Sequence, residues 1–593
     1  MSLAETIRAQ ARENQTQDGK AQSQRYQLTR PASPSTLSAA MHRLGQSLRE
    51  WGYGLGLYRW RLSGRHPVQL LASPDDPAPG NGTLGRKILG GELCFENETI
   101  QINEDIWPAL HGKTRAFLTH AHRFHFLEDL AQVGDQTTAR EAAEYLTRQW
   151  LEDYTHFDPF VWQADILARR QISWCVHAPL ILSSKDLVYK SSLLLVMAHQ
   201  ARHLLRVFKD SSQGLGQIYA GTALILSGLI LPGGQHWQQK GEGLLGACLQ
   251  GFIHADGGPK THSTADAIKI MQQLIILRSA YREVNLEQPN WLQSTLDKLG
   301  PFVRAMRFMG GSIAAFGGTS SQGGTAMEIQ NGTDAILHAA EAAGKAMESL
   351  PKTGYQRLDA GRSSLIMDVA PPPPVYLSAK AGASTGAFEF ADGPSKIIVS
   401  MGPAGSRTDM PDLAPLSRMT AAFSAHVVSN RNASPFDQRG LIGKGVTTTD
   451  FTRTRYDHGG QEISLTHDGY AKRCGVSVER RLFLSEDGRT LKAFEKWGAV
   501  NPRKAKLQTA TIRLHLHPDV RADKLDDGRI RLQTPSGIWL FSHIGGTCAL
   551  EASLYIQTPD QIAQTQQIVI EAGSDQLLTD GLRWRLSKEQ ISV

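Results

Sequence analysis

Cysteine is scarce in this chain, and its spacing excludes two common kinds of scaffold. The 593 residues include five cysteines, and no two of them form a CxxC pair: Cys94, Cys175, Cys248, Cys474 and Cys548. A sparse, odd-numbered set of this kind excludes a disulfide framework and a zinc ribbon.

Long apolar segments and dense positive charge are missing as well. The most apolar run has fourteen residues, Ile218 to Leu231, too few to span a bilayer. The start of the chain lacks the apolar core of a secretory signal peptide. We therefore expect a cytoplasmic protein without a transmembrane segment. No run of Lys and Arg indicates a nucleic-acid partner, and a net charge of +6 only mildly favours anionic partners.

The composition that is present is that of a globular protein, 41% hydrophobic and 20% charged. The length predicts two large domains and a tail. Residues 1–45 are polar, and we predict a disordered tail there. Between residues 46 and 350, apolar side chains recur three and four apart, as in 191–208 and 266–284, with short Gly- or Pro-containing breaks. Paired helices with short connections predict an (α/α) toroid over 46–350.

From residue 351 to 593 the pattern changes to apolar/polar alternation around Asp-Gly pairs. Four segments show it: "GAFEFADGPSKIIVSMG", "RRLFLSEDGRTLKAFEKW", "LDDGRIRLQTPSGIWLFSH" and "LLTDGLRWRLS". Such a pair is a strong signal for a β-hairpin. The fold class predicted is therefore multidomain α + β, with a C-terminal antiparallel β-sandwich after the toroid. The run Pro371–Pro374 is predicted to be a stiff connector at its entrance.

Five phrases, by their order and spacing, together resemble the heparinase II/III family. They are "HRFHFLEDLA" (122–131), "RRQISWCVHAPLIL" (169–182), "GYQRLDAGRSSLIMDVAPPPP" (354–374), "HDGY" (467–470) and "RLHLHPDV" (513–520). The resemblance implies an (α/α) toroid with a β-sandwich, and lyases that cleave uronic-acid polysaccharides by β-elimination. It also implies a periplasmic location as the alternative to the cytoplasm.

β-Elimination sets chemical requirements for a site. The uronate carboxylate is neutralised by donors such as Asn, His or Arg. A Tyr or His then removes the C5 proton, and an acid protonates the leaving oxygen. The resemblance assigns substrate-facing groups to three places, and this chain departs from the family at each of them.

The first place is the loop after "GFIHA". Asp256, Gly257 and Gly258 match the family's turn, but Pro259 stands where the family has a His or Asn, and proline can neither donate nor accept a proton. His262 is the substitute candidate for the acid or base, on a loop that we expect to be exposed. The alternative is that His262 only belongs to a helix-entry loop.

The other two places have also lost a histidine. The family's Asn-His pair at a helix start is here Gln217 and Ile218, which retains an amide only. In the sandwich, "RMTAAFS" has Phe423 at the family's histidine, and His426 follows three residues later.

Three further candidates complete the predicted catalytic set of His262, Gln217, Tyr281, Arg362 and Arg480. Tyr281 lies on the apolar stripe of its helix and is either core or a base. Arg362 and Arg480 are either carboxylate partners or ordinary surface arginines.

No cofactor is required by this chemistry, but the resemblance suggests a divalent metal, zinc or calcium, in the sandwich. His426, Asp437 and His467 are its candidate ligands, although no tight spacing demands a metal. His515 and His517 share a strand face and are interpreted as structural.

The glycine-rich stretch 308–325 has no GKT or GKS sequence, so a nucleotide loop is not indicated. Three functions stay open: a carbon–oxygen lyase acting on an acidic polysaccharide or oligosaccharide, a catalytically degenerate carbohydrate-binding protein on the same scaffold, and a glycoside hydrolase. The last is weakest because no acidic pair stands out.

Overall fold

A computed structural model describes residues 49, 52–54, 56–64, 66–102, 106–316, 326–404, 410–443, 445–457, 459–558 and 561–589. The predicted tail 1–45 and residues 317–325 of the glycine-rich stretch lie outside the described residues. The chain divides into two compact units. The helical unit comprises the described residues up to Phe252 together with Ile270–Ser294, and the sheet unit comprises Ile253–Lys269 and the described residues from Thr295 onward.

Helices dominate the first half of the chain, as predicted. Their bounds are Gly56–Leu62, Gly82–Leu89, Ile106–Ala109, Arg115–His122, Phe126–Ala131, Gln136–Tyr154, Ala164–Val176, Ala178–Ile181, Leu187–Val207, Leu215–Ile230, Gln235–Phe252, Thr264–Glu283, Asn290–Ala305 and Ala326–Ala339. The predicted segments 191–208 and 266–284 correspond to Leu187–Val207 and Thr264–Glu283, and both predictions are confirmed.

Local sequence explains why these helices begin where they do. The Asp186 carboxylate accepts hydrogen bonds from the backbone N–H groups of Val188 and Tyr189, which caps the helix Leu187–Val207. Ser263 Oγ accepts from the N–H of Asp266 in the same way for the following long helix.

The helix Leu215–Ile230 is at the centre of the helical unit. It is apolar on all sides and buried from Ile218 to Ile230, as expected for a helix surrounded by protein. It packs against Gln235–Phe252 and Ala164–Val176. Within the part of the chain that the structure describes, no helix combines the length and hydropathy needed to cross a membrane.

Nineteen strands are present in the described residues. Two of them, β1 (Glu92–Phe95) and β2 (Glu98–Gln101), form a hairpin that the helical pattern did not predict. The others are β3 (Ser349–Leu350), β4 (Tyr355–Ala360), β5 (Ser363–Asp368), β6 (Phe388–Asp392), β7 (Ser395–Val399), β8 (His426–Val428), β9 (Thr449–Arg455), β10 (Gln461–His467), β11 (Val476–Leu484), β12 (Thr490–Ala499), β13 (Thr509–Leu516), β14 (Arg521–Lys524), β15 (Ile530–Thr534), β16 (Gly537–Ile544), β17 (Thr547–Thr558), β18 (Gln561–Gly573) and β19 (Leu582–Lys588).

These strands form two antiparallel sheets in the sheet unit. One has the order β14-β15-β16-β19-β12-β11-β10-β9, and the other has the order β17-β18-β13-β7-β6-β5-β4-β3, with β8 also paired to β13. A shared apolar core fills the space between them; for example, Phe388 of β6 stacks on Trp584 of β19 with ring centroids 5.8 Å apart. The alternating burial of β11 places every second side chain in this core.

Three of the four predicted Asp-Gly hairpin signals are confirmed. They join β6 to β7, β11 to β12 and β14 to β15. The fourth is wrong, because Asp580 and Gly581 connect the short helix Ser574–Thr579 to β19 rather than two strands. Gly581 has a φ of 68°, so the turn glycine serves as the exit of a helix. Pro371–Pro374 lies in the connection between β5 and β6 rather than at the entrance of the sandwich, so this part of the prediction is wrong.

Candidate functional site

The loop between the helices Gln235–Phe252 and Thr264–Glu283 is held from its centre. The Asp256 carboxylate accepts hydrogen bonds from the N–H groups of Lys352 (2.7 Å) and Thr353 (2.8 Å) and from the Thr353 hydroxyl (2.6 Å). The Asp-Gly-Gly turn therefore fixes the segment that leads into β4. All of these residues belong to the sheet unit.

Both glycines of this turn are required by close approach. At Gly257, whose φ is 82°, an added Cβ would lie 2.0 Å from the Lys298 carbonyl oxygen, and at Gly258 it would lie 2.0 Å from Thr353 Oγ1. Gly257, Gly258 and Pro259 are buried, so the expectation of an exposed loop is wrong for its centre. Tight packing against Lys298 and Thr353 is the physical reason.

His262 lies at the end of this loop in a left-handed conformation, with a φ of 57°. Its carbonyl accepts a 2.6 Å hydrogen bond from the Tyr355 hydroxyl. Burial lowers the pKa of its imidazole to about 4, with a further contribution from His254. The two imidazole centroids lie 6.4 Å apart. Both rings are neutral at pH 7, because burial also lowers the pKa of His254.

In the helical unit, the candidate base Tyr281 is bound to a carboxylate. Its hydroxyl donates to Glu242, and the side chain is almost fully buried. Burial and the Glu242 charge raise the pKa of the phenol far above its ordinary value, so the phenolate does not form near neutral pH. Neither the interpretation as core nor that as base included Glu242, which no spacing in the sequence had indicated.

Gln217 lies on the first turn of Leu215–Ile230, where its Oε1 accepts a 3.7 Å hydrogen bond from Cys248 Sγ. Ile218 beside it is fully buried. Cys248 and Glu242 are six residues apart on the helix Gln235–Phe252, about 9 Å along its axis. Gln217 and Tyr281 thus contact different turns of the same helix.

Arg480 is buried between the two sheets rather than at the surface. Its Nε donates to both oxygens of Glu495 at 3.0 and 2.9 Å, and its Nη1 donates to the carbonyls of Gly386 (2.5 Å) and Ser424. The interpretation as an exposed surface arginine is wrong, since its side chain is only 2% exposed. The pattern of β11 explains this, because Arg480 occupies one of the inward positions.

Glu495 joins three partners in one buried cluster. His426 Nε2 lies 2.9 Å from Glu495 Oε2, and the Trp584 indole donates to Glu495 Oε1 at 3.2 Å. The Trp497 indole donates to His426 Nδ1 at 3.4 Å, which makes Nδ1 an acceptor and leaves the ring proton on Nε2. Burial would raise the pKa of Glu495, but Arg480 and His426 lower it to about 2. Burial lowers the pKa of His426 against the opposing charge of Glu495.

The three candidate metal ligands have separate partners. Asp437 accepts from the N–H groups of Arg439 and Leu441, His426 belongs to the Glu495 cluster, and His467 Nδ1 accepts from the Gly469 N–H at 3.3 Å. Across the described ranges, no group of three or more His, Cys, Asp or Glu side chains is arranged to hold a metal ion. The zinc or calcium site stays a prediction.

The remaining family positions are part of the framework. Phe423 is 3% exposed, and its ring packs so closely on Gly382 that an added Cβ there would lie 2.4 Å from it. Arg418 donates to the carbonyls of Ala381 and Ser378 at 2.9 Å each. His515 uses both ring nitrogens, on the Ser553 hydroxyl and the Ala421 carbonyl.

Arg362 is the one predicted catalytic residue that is exposed. It lies at the turn between β4 and β5, and its guanidinium has no hydrogen bond or ion pair to any residue that the structure describes. From Tyr355 to Gly361 the strand and its turn extend about 20 Å, so Arg362 is remote from His262 along this hairpin.

The elements described above define a class of protein: a region of paired helices followed by an antiparallel sandwich of two sheets. Residues 342–584 match the family model "Heparinase II/III-like, C-terminal". The C-terminal part of the chain is therefore a heparinase II/III-like domain, and the resemblance carried by the five sequence phrases is confirmed.

Solved structures agree with this assignment at the level of the fold. A heparan sulfate lyase HepC mutant from Pedobacter heparinus matches with a TM-score of 0.60 and 15% identity, over 90% of this chain and 88% of that one. The Heparinase III-BT4657 gene product matches with a TM-score of 0.62 and 13% identity, over 94% of this chain and 91% of that one. The predicted fold class, a toroid of paired helices followed by an antiparallel β-sandwich, is confirmed.

One curated relative is named for its localisation with FtsZ and not for a lyase activity. FtsZ-localized protein C of Caulobacter vibrioides (strain NA1000 / CB15N) is 27% identical over 578 residues, which cover 92% of this chain and 95% of that protein.

Proposed function

We propose that this protein is a catalytically degenerate member of the heparinase II/III-like family that acts by binding and associates with FtsZ assemblies. The observation that carries the proposal is the loss of a substrate-facing side chain at each of the three places that the family resemblance assigns, where the amide of Gln217 is all that is retained. Ile218, Pro259 and Phe423 occupy those places, and all three are buried. Buried apolar side chains can neither neutralise a uronate carboxylate nor transfer a proton.

The candidates left for acid–base chemistry support the same proposal. The Tyr281 hydroxyl donates to Glu242, and its raised pKa keeps it protonated at neutral pH, so no phenolate is present to accept a proton. Arg480 is paired with Glu495 in the core, and its side chain is only 2% exposed, which argues against contact with a substrate carboxylate. A base with a pKa near the working pH is the usual requirement, and the pKa of His262, about 4, departs from it.

The association with FtsZ comes from the relative. FtsZ-localized protein C aligns with nearly the whole of this chain, over both units, rather than with the sandwich alone. The lyase structures match a similar share of the chain but are only 13–15% identical to it. A sequence identity of 27% over that length supports a shared cellular role more strongly than a likeness in fold, which concerns the scaffold. A cytoplasmic location belongs to this proposal.

Two assays test it together. The full chain is incubated with polymerised FtsZ and sedimented, and separately with a panel of uronic-acid polysaccharides while the ultraviolet absorbance of the unsaturated product is recorded. We expect co-sedimentation with FtsZ polymers and no product on any glycan. Product formation would contradict the loss of catalysis, whereas absence from the FtsZ pellet would contradict the association.

A second candidate, a polysaccharide lyase acting on an acidic glycan, is favoured by one observation. His254 and His262 present two neutral imidazoles 6.4 Å apart on the loop that carries the family's Asp-Gly-Gly turn. If they form an acid–base pair, His262→Ala lowers the turnover number by roughly 10²–10⁴. His254→Ala is measured beside His262→Ala. If the turnover number is unchanged in both variants, His254 and His262 are not an acid–base pair.

A further inference from the structure

An open pocket in the sheet unit is lined by four arginines. It lies between the end of the helix Asn290–Ala305, the segment that follows this helix, and the turn of the β4–β5 hairpin. Its volume is about 410 Å³, within the range of small-molecule sites. The lining residues are Arg304, Arg307, Phe308, Met309, Arg357, Asp359, Gly361, Arg362, Ser363 and Ser364.

Three of the guanidinium groups, those of Arg304, Arg307 and Arg357, are fixed by hydrogen bonds to backbone carbonyls; Arg307 Nε donates to the Gly311 carbonyl at 3.3 Å. Arg357, 11% exposed, donates to the carbonyls of Ala305 (2.9 Å) and Arg307 (2.5 Å). Arg304 donates to the carbonyls of Ala342 (3.0 Å) and Gly344 (3.1 Å). Because these groups are already ordered, an incoming ligand loses little free energy in positioning them.

The positive charges in the pocket exceed the negative ones. Arg357 is paired with Asp359, and Arg307 is paired with Asp334. Arg304 is held only by neutral carbonyl groups, and Arg362 has no ion-pair partner among the described residues. Two guanidinium charges are thus without a carboxylate.

The turn of the neighbouring hairpin positions Arg362. An added Cβ on Gly393, whose φ is 61°, would lie 2.6 Å from Arg362 Nη2, so the guanidinium rests directly on this glycine. The Gly393 N–H also donates to the Arg362 carbonyl at 2.7 Å. Arg362 is therefore held by backbone packing and not by a competing anion.

One wall of the pocket is apolar. Met309 is 64% exposed beside Phe308, although methionine is usually buried. Its segment is anchored, because an added Cβ on Gly310 would lie 2.7 Å from the Pro394 carbonyl oxygen. The exposed thioether is thus held at the pocket by a fixed backbone.

We propose that this arginine pocket binds an organic oxyanion, a carboxylate or phosphate monoester attached to an apolar group. The paired N–H donors of Arg304 and Arg362 match two oxygens of such an anion. Met309 and Phe308 contact the apolar group. The site is separate from the Asp-Gly-Gly loop, and the proposal does not depend on the proposed function.

Isothermal titration of the full chain tests this with phenyl phosphate and benzoate as anionic probes and benzyl alcohol as the neutral probe. We expect saturable binding of at least one anion and none of benzyl alcohol. A preference for phenyl phosphate assigns a phosphate ligand, and a preference for benzoate assigns a carboxylate. Absence of saturable binding of both anions overturns the proposal.

Variants locate the site. Arg304→Gln and Arg362→Gln are each expected to lower the affinity for the anionic probe by about tenfold or more. The control Arg521→Gln changes an exposed arginine elsewhere in the same unit and should leave this affinity unchanged. Met309→Ser is expected to lower the affinity for phenyl phosphate more than the affinity for inorganic phosphate, because inorganic phosphate has no apolar group for Met309 to contact. Arg304→Gln also removes the hydrogen bonds to the carbonyls of Ala342 and Gly344. If the Arg304→Gln protein is unfolded, the affinity of Arg362→Gln decides the outcome. Unaltered affinity in Arg362→Gln overturns the proposal.

Discussion

The sheet unit contains two clusters built from arginine and carboxylate groups, one between the sheets and one at the surface. Arg480 and Glu495 form the core cluster, where both side chains are 2% exposed or less. Arg304 and Arg362 belong to the surface pocket, where neither has a carboxylate partner in the described residues. Arginine thus stabilises the fold in the core cluster, whereas in the surface pocket its positive charge is available to a ligand. Burial and pairing, and not residue identity, separate the two roles.

The largest effect is expected in the core cluster. Glu495→Gln keeps the size of the side chain but leaves the buried charge of Arg480 without a counterion. A buried ion pair broken on one side destabilises by about 3–5 kcal/mol. Denaturant unfolding followed by tryptophan fluorescence measures it, since Trp497 and Trp584 both donate into this cluster.

Its matched control is Asp359→Asn in the surface pocket. The Asp359 side chain is 46% exposed and paired with Arg357. An exposed pair contributes up to about 1 kcal/mol. Equal losses in Glu495→Gln and Asp359→Asn would remove the distinction between the clusters.

The second effect concerns the Asp-Gly-Gly loop. Asp256→Ala removes three hydrogen bonds from the segment at Lys352 and Thr353, and Thr353 is fully buried. Unsatisfied buried donors destabilise, and we expect a loss of about 2–3 kcal/mol in the free energy of unfolding. Hydrogen exchange of the two amides should accelerate in step. Asp256→Asn, which keeps an acceptor oxygen, should lose less; an unchanged exchange rate in Asp256→Ala contradicts the anchoring role.

The third effect is a pH dependence from the core. Burial lowers the pKa of His467 to about 3, with a contribution from the nearby His426. Between the folded and unfolded pKa values, His467 is therefore protonated in the unfolded state and neutral in the folded state. Stability is complete above the unfolded pKa of about 6.5 and falls as the pH decreases toward 3, by about 2 kcal/mol at pH 5 for this one group.

His467→Asn tests the sign of this effect. It keeps an acceptor for the Gly469 N–H but cannot titrate, so the difference between the unfolding free energies at pH 7 and pH 5 should shrink by about 2 kcal/mol. His338→Asn, at an exposed histidine, is the control. A difference as large as in the unmodified protein would show that His467 is not the group responsible.

Much of the fold follows from local patterns in the sequence. The long helices and three of the Asp-Gly hairpins carry their signals within a dozen residues, and these predictions are confirmed. The hairpin β1–β2 did not stand out because it is only two four-residue strands inside a helical region. Asp580 and Gly581 were misread because an Asp-Gly pair also ends helices, and only the contacts of Ser574–Thr579 separate the two cases.

The candidate site was less predictable because its partners are distant in sequence. Glu242 is 39 residues from Tyr281, and Asp256 is 97 residues from Thr353. No periodicity reports such pairings. Arg480 offered one usable signal, since the alternation of β11 places it inward; a charged residue at an inward position requires a buried partner.

The smallest effect returns to the surface pocket. Arg362→Gln removes a guanidinium that has no hydrogen-bond or ion-pair partner in the described part of the chain. Surface substitutions of this kind change stability by less than about 0.5 kcal/mol. The identical change at Arg480 removes the bonds to Glu495 and to the carbonyls of Gly386 and Ser424, so it should destabilise by several-fold more. Denaturant unfolding of the two variants side by side measures the contrast. A large loss in Arg362→Gln would mean that this arginine supports the turn at Gly393, and its availability for a ligand would then be lower than its exposure implies.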